Sequence, residues 1–449
     1  MTVKRKHMAL LLAGVIGAAA LVYSTRSKKD RASEDNPHPG HAAFSFKLQD
    51  VAALALRRDG QNVVIENRGG NWVIAQPADA PADQSVVNLL LNGLAEALSA
   101  QSLRALSRGA GTYGLNPPAV TIELQLRNGE RHSVRFGDPD SSRRAVYALM
   151  DDAPEVVLLP AEIAVNADQP LLNLRDRSLL KVSADEVRLL RLSNGNGEMM
   201  LAREDSTWKL KYPVETAADR VAVESLFSEI GSAKVTEFVS ESAGVADKLR
   251  RDKDKVTFIA SLLDGSEKAL TLGMKEGGSS YAIASDRQQA GKVEGSLYDR
   301  LNVKPSDLYD RNIIRFDPAE LERVVIRNHN QTLTAVNQEG KWLVETPSEY
   351  KGRELDLTGT LNSLKAERAD EVLHNPSGPV ATKFASPAIT AQFVNKNGAA
   401  TTLLFSAPDG EKVYVRRTNS LFVYKTGRHI FNRLNFKVKE LVDKADVAR

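Results

Sequence analysis

The chain contains no cysteine in its 449 residues. That excludes disulfides, thiolate metal sites, a cysteine nucleophile and a lipobox-type lipid anchor. It suits an oxidising compartment, where a spare thiol is a hazard. Histidine is scarce too. Of the seven, His7, His132, His329, His374 and His429 lack the spacing of zinc ligands. His38 and His41 stand close together, but in a polar stretch that reads as solvated chain rather than a metal site. No G-x-S-x-G elbow and no Walker A sequence occurs, so serine-hydrolase and P-loop chemistry lack their mechanical parts. The acidic clusters "GDPD" (137–140) and "DKDKV" (252–256) do not alternate oxygen ligands around a glycine as a calcium loop does. They read as solvated turns. No catalytic, cofactor-binding or metal-binding residue is singled out, no cofactor is implied, and an enzyme is not expected.

A positive body is missing as well. Lys and Arg outnumber Asp and Glu by 60 to 57, and the pI is near 8.8. Yet Lys4, Arg5, Lys6, Arg26, Lys28, Lys29 and Arg31 face only Asp30 in the first 31 residues, leaving 53 basic and 56 acidic side chains over 32–449. Binding to DNA or RNA needs a positive face held by the fold, so no nucleic-acid partner is expected. With 42% hydrophobic and 26% charged residues, the composition supports ordinary cores. The length allows several domains at roughly 100–200 residues each.

Only one long apolar run exists. "MALLLAGVIGAAALVY", Met8 to Tyr23, carries no charge and is bracketed by Lys4–Lys6 and Arg26–Lys29. As a helix its sixteen residues span about 24 Å at about 1.5 Å each, a little under a hydrocarbon core of about 30 Å. Flanking Lys and Arg side chains snorkel across such a shortfall. An uncleaved anchor over 1–25 is expected; a signal peptide cleaved near Val22-Tyr23-Ser24 is the alternative. Both flanks are basic, so charge bias alone does not orient the helix. The short basic tail is more easily kept inside than the long body, which places the body outside the cytoplasm. Residues 26–43, with "SKKDRASEDNPHPGHAA", have the composition of a flexible stalk.

The three tryptophans share one phrase: "GNWVIAQP", "STWKLKYP" and "GKWLVETP". Trp72, Trp208 and Trp342 lie 136 and 134 residues apart, with Pro77, Pro213 and Pro347 in step. Turns ending at Gly129, Gly265 and Gly398 keep the same period, as do Tyr147, Tyr281 and Tyr414. So do Val51, Val187 and Leu321. "NLRDR", "DLYDR" and "ELVDK" add Asp176, Asp310 and Asp443, read as turn caps or ion pairs at domain junctions. Such a period marks tandem copies. Three units of about 134 residues are expected, over 44–177, 178–311 and 312–449.

Each unit reads as α+β, mainly antiparallel sheet with one long and one short helix. "VAALALRR" and "QNVVIENRGGNWVIA" alternate apolar and polar residues, the period of half-buried strands. Asp83 caps a helix over "QSVVNLLLNGLAEALSA", and Asp219 one over "RVAVESLFSEIGSA". The third copy has Arg353-Glu354 there, without an evident cap. "AVTIELQLRNGERHSVRFG" is a hairpin about Asn-Gly, repeated in both later copies. A short helix follows Pro160. The tryptophans read as core under each helix, with exposed ligand-stacking platforms as the alternative. "EFVSESAGVADKLRRDKDK" in copy two reads as a charged surface segment.

Taken in order, the apolar anchor, "NWVIAQPADAPAD", "YGLNPPAVTIELQLRNGERHSVRFG", "VYALMDDAPEVVLLP" and "NLRDRSLL" resemble the bacterial domain of unknown function (DUF) 4340 family. "YGLNPP" is missing from copy two, and copy three keeps only "FASPAI". The resemblance implies a membrane-tethered envelope protein associated with ABC-type export systems, and carries no catalytic residues. The expected function is therefore a membrane-anchored extracytoplasmic interaction module in the bacterial inner membrane, docking on a permease or envelope partner. The alternative is a binding protein holding a lipid, glycan or small ligand in a cleft between units, with its ligand-binding residues unknown.

Overall fold

The computed structural model describes residues 38–447 apart from 41–43, 59, 100–102, 107–109, 152, 154, 240, 241 and 288. The expected anchor over 1–25 lies outside the described residues, as does the stalk over 26–43 except for 38–40. No helix among the described residues is long and apolar enough to cross a membrane.

The first sheet has ten strands: β1 (His38–Gly40), β2 (Val51–Arg58), β3 (Gln61–Arg68), β4 (Asn71–Gln76), β5 (Ala80–Pro81), β6 (Leu103–Leu106), β7 (Val120–Leu126), β8 (Arg131–Pro139), β9 (Ala145–Met150) and β10 (Val156–Pro160). They lie in the order β1-β6-β10-β9-β8-β7-β2-β3-β4-β5. Every pairing is antiparallel. Two meanders thus meet at β2 and β7, and the segment between β5 and β6 carries the long helix α1 (Gln84–Ser99). Two nine-stranded sheets within 187–294 and 321–427 repeat the order, lacking only a counterpart of β1. Their long helices are α2 (Arg220–Ser232) and α3 (Thr358–Ala366). That extra strand comes from the expected stalk: His38 pairs with Ala105 and Gly40 with Leu103. An edge strand such as β6 offers unpaired backbone groups, and a passing extended segment satisfies them.

Period-2 patterning builds the cores. Val120, Ile122, Leu124 and Leu126 of β7 are buried while Thr121, Glu123 and Gln125 face the other side. Val87, Leu90, Leu91, Leu94 and Leu98 of α1 cover that inner face. Trp72, Trp208 and Trp342 are only 3%, 3% and 5% exposed, so the core reading holds in every copy. The Trp72 indole N–H donates to Asn88 Oδ1 at 2.9 Å, and Trp208 stacks on Phe227 at 6.0 Å. The prolines that follow share one feature: Gln76-Pro77, Tyr212-Pro213 and Thr346-Pro347 are all cis. The three Asx-Gly turns are also one turn. Gly129, Gly265 and Gly398 have φ of 94°, 86° and 82°, the left-handed region that glycine enters without steric cost.

The helix starts divide as expected. Asp83 accepts from the Ser85 and Val86 N–H groups (3.0 and 3.2 Å), and Asp219 from Ala222 N–H (3.1 Å). In the third copy the carboxylate stands later in the chain. Asp356 accepts from Thr358 N–H at 3.0 Å, and α3 has nine residues against sixteen in α1. One segment departs from its sequence reading. The charged stretch of copy two forms a helix, Ser242–Arg251, that buries Val245 and Leu249 against Met274, Tyr281 and Ile283. Its charges occupy one side and its two buried apolar residues, four apart, the other.

The chain divides into two compact bodies, one ending at Arg177 and the other running from Ser178 to Arg449. In the second body one apolar core continues through both sheets. The segment 308–313 is hydrogen-bonded to each of them. Asp219 N–H donates to Leu308 O (2.9 Å) and Asp310 N–H to Ala217 O (3.0 Å) on the one side. On the other, Ala369 N–H donates to Arg311 O (2.8 Å) and the Arg417 guanidinium to Asn312 O and Ile313 O (3.0 and 2.9 Å). Asp310, 8% exposed, accepts from Asn312 Nδ2 (2.6 Å) and Arg315 Nε (3.0 Å). In the first body, Asp83 N–H to Leu174 O and Asp176 N–H to Pro81 O repeat the main-chain part of this pattern. In the first two copies the aspartate phrase is thus a pairing segment laid against the chain just before the long helix. The third departs from the expected turn or junction, because Asp443 lies within a helix, Val438–Val447.

Candidate functional site

The inner face of each sheet is filled by helices, so any surface for another molecule is sought on the outer face. Part of that face is covered in each copy by the segment between the two meanders. Tyr113 and Leu115 pack on Leu149 and Val156 in the first, and the helix Ser242–Arg251 covers Met274, Tyr281 and Ile283 in the second. In the third, Phe384 lies under the Arg416 guanidinium at 4.8 Å. The first meander of the second sheet stays open and holds a groove of about 450 Å³.

A repeated irregularity builds this groove. Plain alternation along Thr207–Tyr212 would turn Tyr212 inward with Trp208 and Leu210. The register shifts, however: Leu201 pairs with Leu210, but Met200 pairs with Tyr212, leaving Lys211 as the extra residue. A bulge of this kind re-aims the side chain beyond it. Tyr212 consequently faces outward, 53% exposed, directly across from Met200. Arg191 and Ile259 continue the same row on the next two strands. Beside them the smaller Ser193 and Thr257 leave the depression.

The first and third sheets carry the same bulge, at Val64/Ile65 and Thr334/Ala335. Their rows differ in chemistry. The first reads Gln76, Val64, Ala55 and Glu123, where burial pushes the Glu123 carboxyl above its usual range against the pull of Arg57 at 2.8 Å. The third reads Thr346, Thr334, Val325 and Gln392. Only the second row combines an aromatic ring, a thioether and a branched aliphatic side chain. None of Tyr212, Met200, Arg191 or Ile259 was singled out by the sequence. The one signal available was a large aromatic before the repeated proline where the other copies have Gln and Thr.

The histidines are scattered. His132 Nδ1 is 2.9 Å from Asp151 Oδ2, with its ring stacked on Phe44 at 4.0 Å. His429 Nε2 is 3.0 Å from Glu367 Oε2, and His374 rests against Phe422. His38 belongs to β1, while His7 and His41 lie outside the described residues. No group of three or more His, Asp or Glu side chains among the described residues could hold a metal ion. The acidic turns serve local hydrogen bonds: Asp140 accepts from Ala145 N–H (3.2 Å) and Ser142 Oγ (2.8 Å), and Asp252 from Met274 N–H (2.7 Å). The hydrogen bond from Ser142 holds the Asp140 carboxyl below its usual range.

A chain of tandem α+β units, each a bulged antiparallel sheet with its long helix on the inner face, is the class defined by this geometry. The chain belongs to the family described as domain of unknown function (DUF4340), whose model matches residues 72–212 and 208–387. Both matches open on a tryptophan strand, and the first ends on Tyr212. No protein of curated function matches the chain.

Proposed function

We propose that the protein is a membrane-anchored interaction module, held at the bacterial inner membrane by residues 1–25 with its body outside the cytoplasm. Its partner is a permease or envelope protein, in the manner of an auxiliary component of an ABC-type export system. One observation carries this reading: a single strand order is used three times, and its outer faces differ in side-chain chemistry from copy to copy. Repeats of one scaffold with divergent faces suit assembly, where several surfaces are needed, more than a single enclosed pocket. The open groove on the second sheet fits the same reading. A short anchor would hold these faces near the membrane and raise their effective concentration for a partner there.

Photo-crosslinking in native membranes, followed by mass spectrometry, tests the proposal. Permease or envelope subunits are the expected adducts. A body that carries a bound lipid or sugar and no protein partner would overturn it in favour of a ligand-binding protein. The anchor has its own check. The full-length protein should fractionate with the inner membrane, and a mature amino terminus near Thr25 would show secretion instead.

A further inference from the structure

The groove on the second sheet contains one carboxylate whose counter-ion is missing among the described residues. Arg191 is paired with Glu267 at 2.6 Å, and Lys209 and Lys211 both reach Glu204. Glu198 lines the same groove and is exposed. It stands two residues before Met200 on one strand, and Tyr212 lies opposite Met200 on the next. Glu198 and Tyr212 are therefore diagonal neighbours on one face, a relation that sets the residues about 7–8 Å apart and their Cβ atoms somewhat closer. An ammonium or guanidinium between them meets a carboxylate on one side and a ring on the other, an ion pair and a cation–π contact together. Met200 and Ile259 supply an apolar floor for an aliphatic stem, and Ser193 and Thr257 leave room for it.

The other copies lack both halves of this device. The positions of Glu198 and Tyr212 correspond to Asn62 and Gln76 in the first sheet, and to Thr332 and Thr346 in the third. We propose that the groove receives an extended segment of a protein partner bearing lysine or arginine, with its cation between Glu198 and Tyr212. The groove crosses four strands, about 14 Å at roughly 4.8 Å per strand spacing, which accommodates several residues of extended chain. The inference rests on the docking reading above and names the chemistry of the partner.

The test uses the full chain in detergent and two short peptides, one alternating leucine with lysine and one alternating leucine with glutamate. Binding is followed by fluorescence anisotropy. The lysine peptide should bind and the glutamate peptide should not. Glu198→Gln and Tyr212→Ala should each weaken binding about fivefold, the usual scale of one partly exposed charge or cation–π contact. Both positions are exposed, so melting temperatures should stay near that of the parent. Equal binding of the two peptides, no binding of the lysine peptide, or variants that bind it unchanged would each overturn the proposal. Membrane crosslinking of Glu198→Gln separates the two levels. If partner subunits are recovered as from the parent, docking stands and this groove is not its surface. If the lysine peptide binds through Glu198 and no membrane partner is recovered, the groove assignment stands and the docking reading falls.

Discussion

Asp219 uses its two oxygens for two tasks. Oδ1 caps α2 at Ala222 N–H, and Oδ2 accepts from the Arg368 guanidinium of the third copy. The side chain is 2% exposed while that of Arg368 is 44% exposed, so the two ends of the pair are not equivalent. Removing the carboxylate takes away a helix cap, worth about 1 kcal/mol, and orphans a partly solvated guanidinium. Removing the guanidinium instead leaves a buried anion. Asp219→Asn keeps a cap acceptor and should cost about 1–2 kcal/mol; Asp219→Ala should cost about 2–4 kcal/mol. Urea unfolding of the two variants measures the difference. The tryptophans make a second case at this scale. Trp208→Ala should cost about 3–5 kcal/mol, as other large aromatic truncations in cores do, and an unchanged midpoint would show that the indole is not structural. Their role was legible because the same residue recurs at the same internal position. Tyr212 was not legible, because one extra residue in the strand reverses which side it faces, and alternation alone assigns it to the core.

At the scale of elements, the strands and long helices followed from periodicity, and the caps at Asp83 and Asp219 from their position before an apolar run. In the third copy a local insertion moved the carboxylate to Asp356, one residue before the cap position Leu357, which itself has no side-chain cap bond. The helix Ser242–Arg251 was hidden for a different reason. Its burial needs only Val245 and Leu249, too few apolar residues to outweigh the surrounding charges in a sequence window. What makes it fold there is the apolar outer face of Met274, Tyr281 and Ile283, residues brought together from two other strands. Leu249 is 2% exposed and holds the helix to that face. Leu249→Lys should release the segment. Hydrogen exchange of the 242–251 amides should then rise toward unprotected rates, while the strands Val187–Asn194 and Thr207–Tyr212 keep their protection. Retained protection of the helix would show that its hold lies elsewhere.

On the scale of the whole molecule, three periods are plain in the sequence, yet the second and third copies act as one body with one core. The period reports how many copies exist; it does not report which of them fuse, since fusion depends on contacts between copies that need not repeat. In the second body the segment 308–315 supplies those contacts, with main-chain bonds to both sheets and the buried carboxylate of Asp310 closing its turn. A flexible junction would be the first place cut by a protease. A segment whose backbone groups are satisfied on both sides must open before it is cleaved, so its cutting tracks the stability of the body around it. Limited proteolysis of the full chain should therefore spare 308–313 until the second body unfolds. Arg417→Ala removes the donor to Asn312 O and Ile313 O without touching either helix cap. It should expose this segment to cleavage at denaturant concentrations where both sheets still resist exchange. If the parent protein is cut at 308–313 as rapidly as an unstructured peptide, the second and third copies are separately hinged, and the shared core does not behave as one cooperative unit.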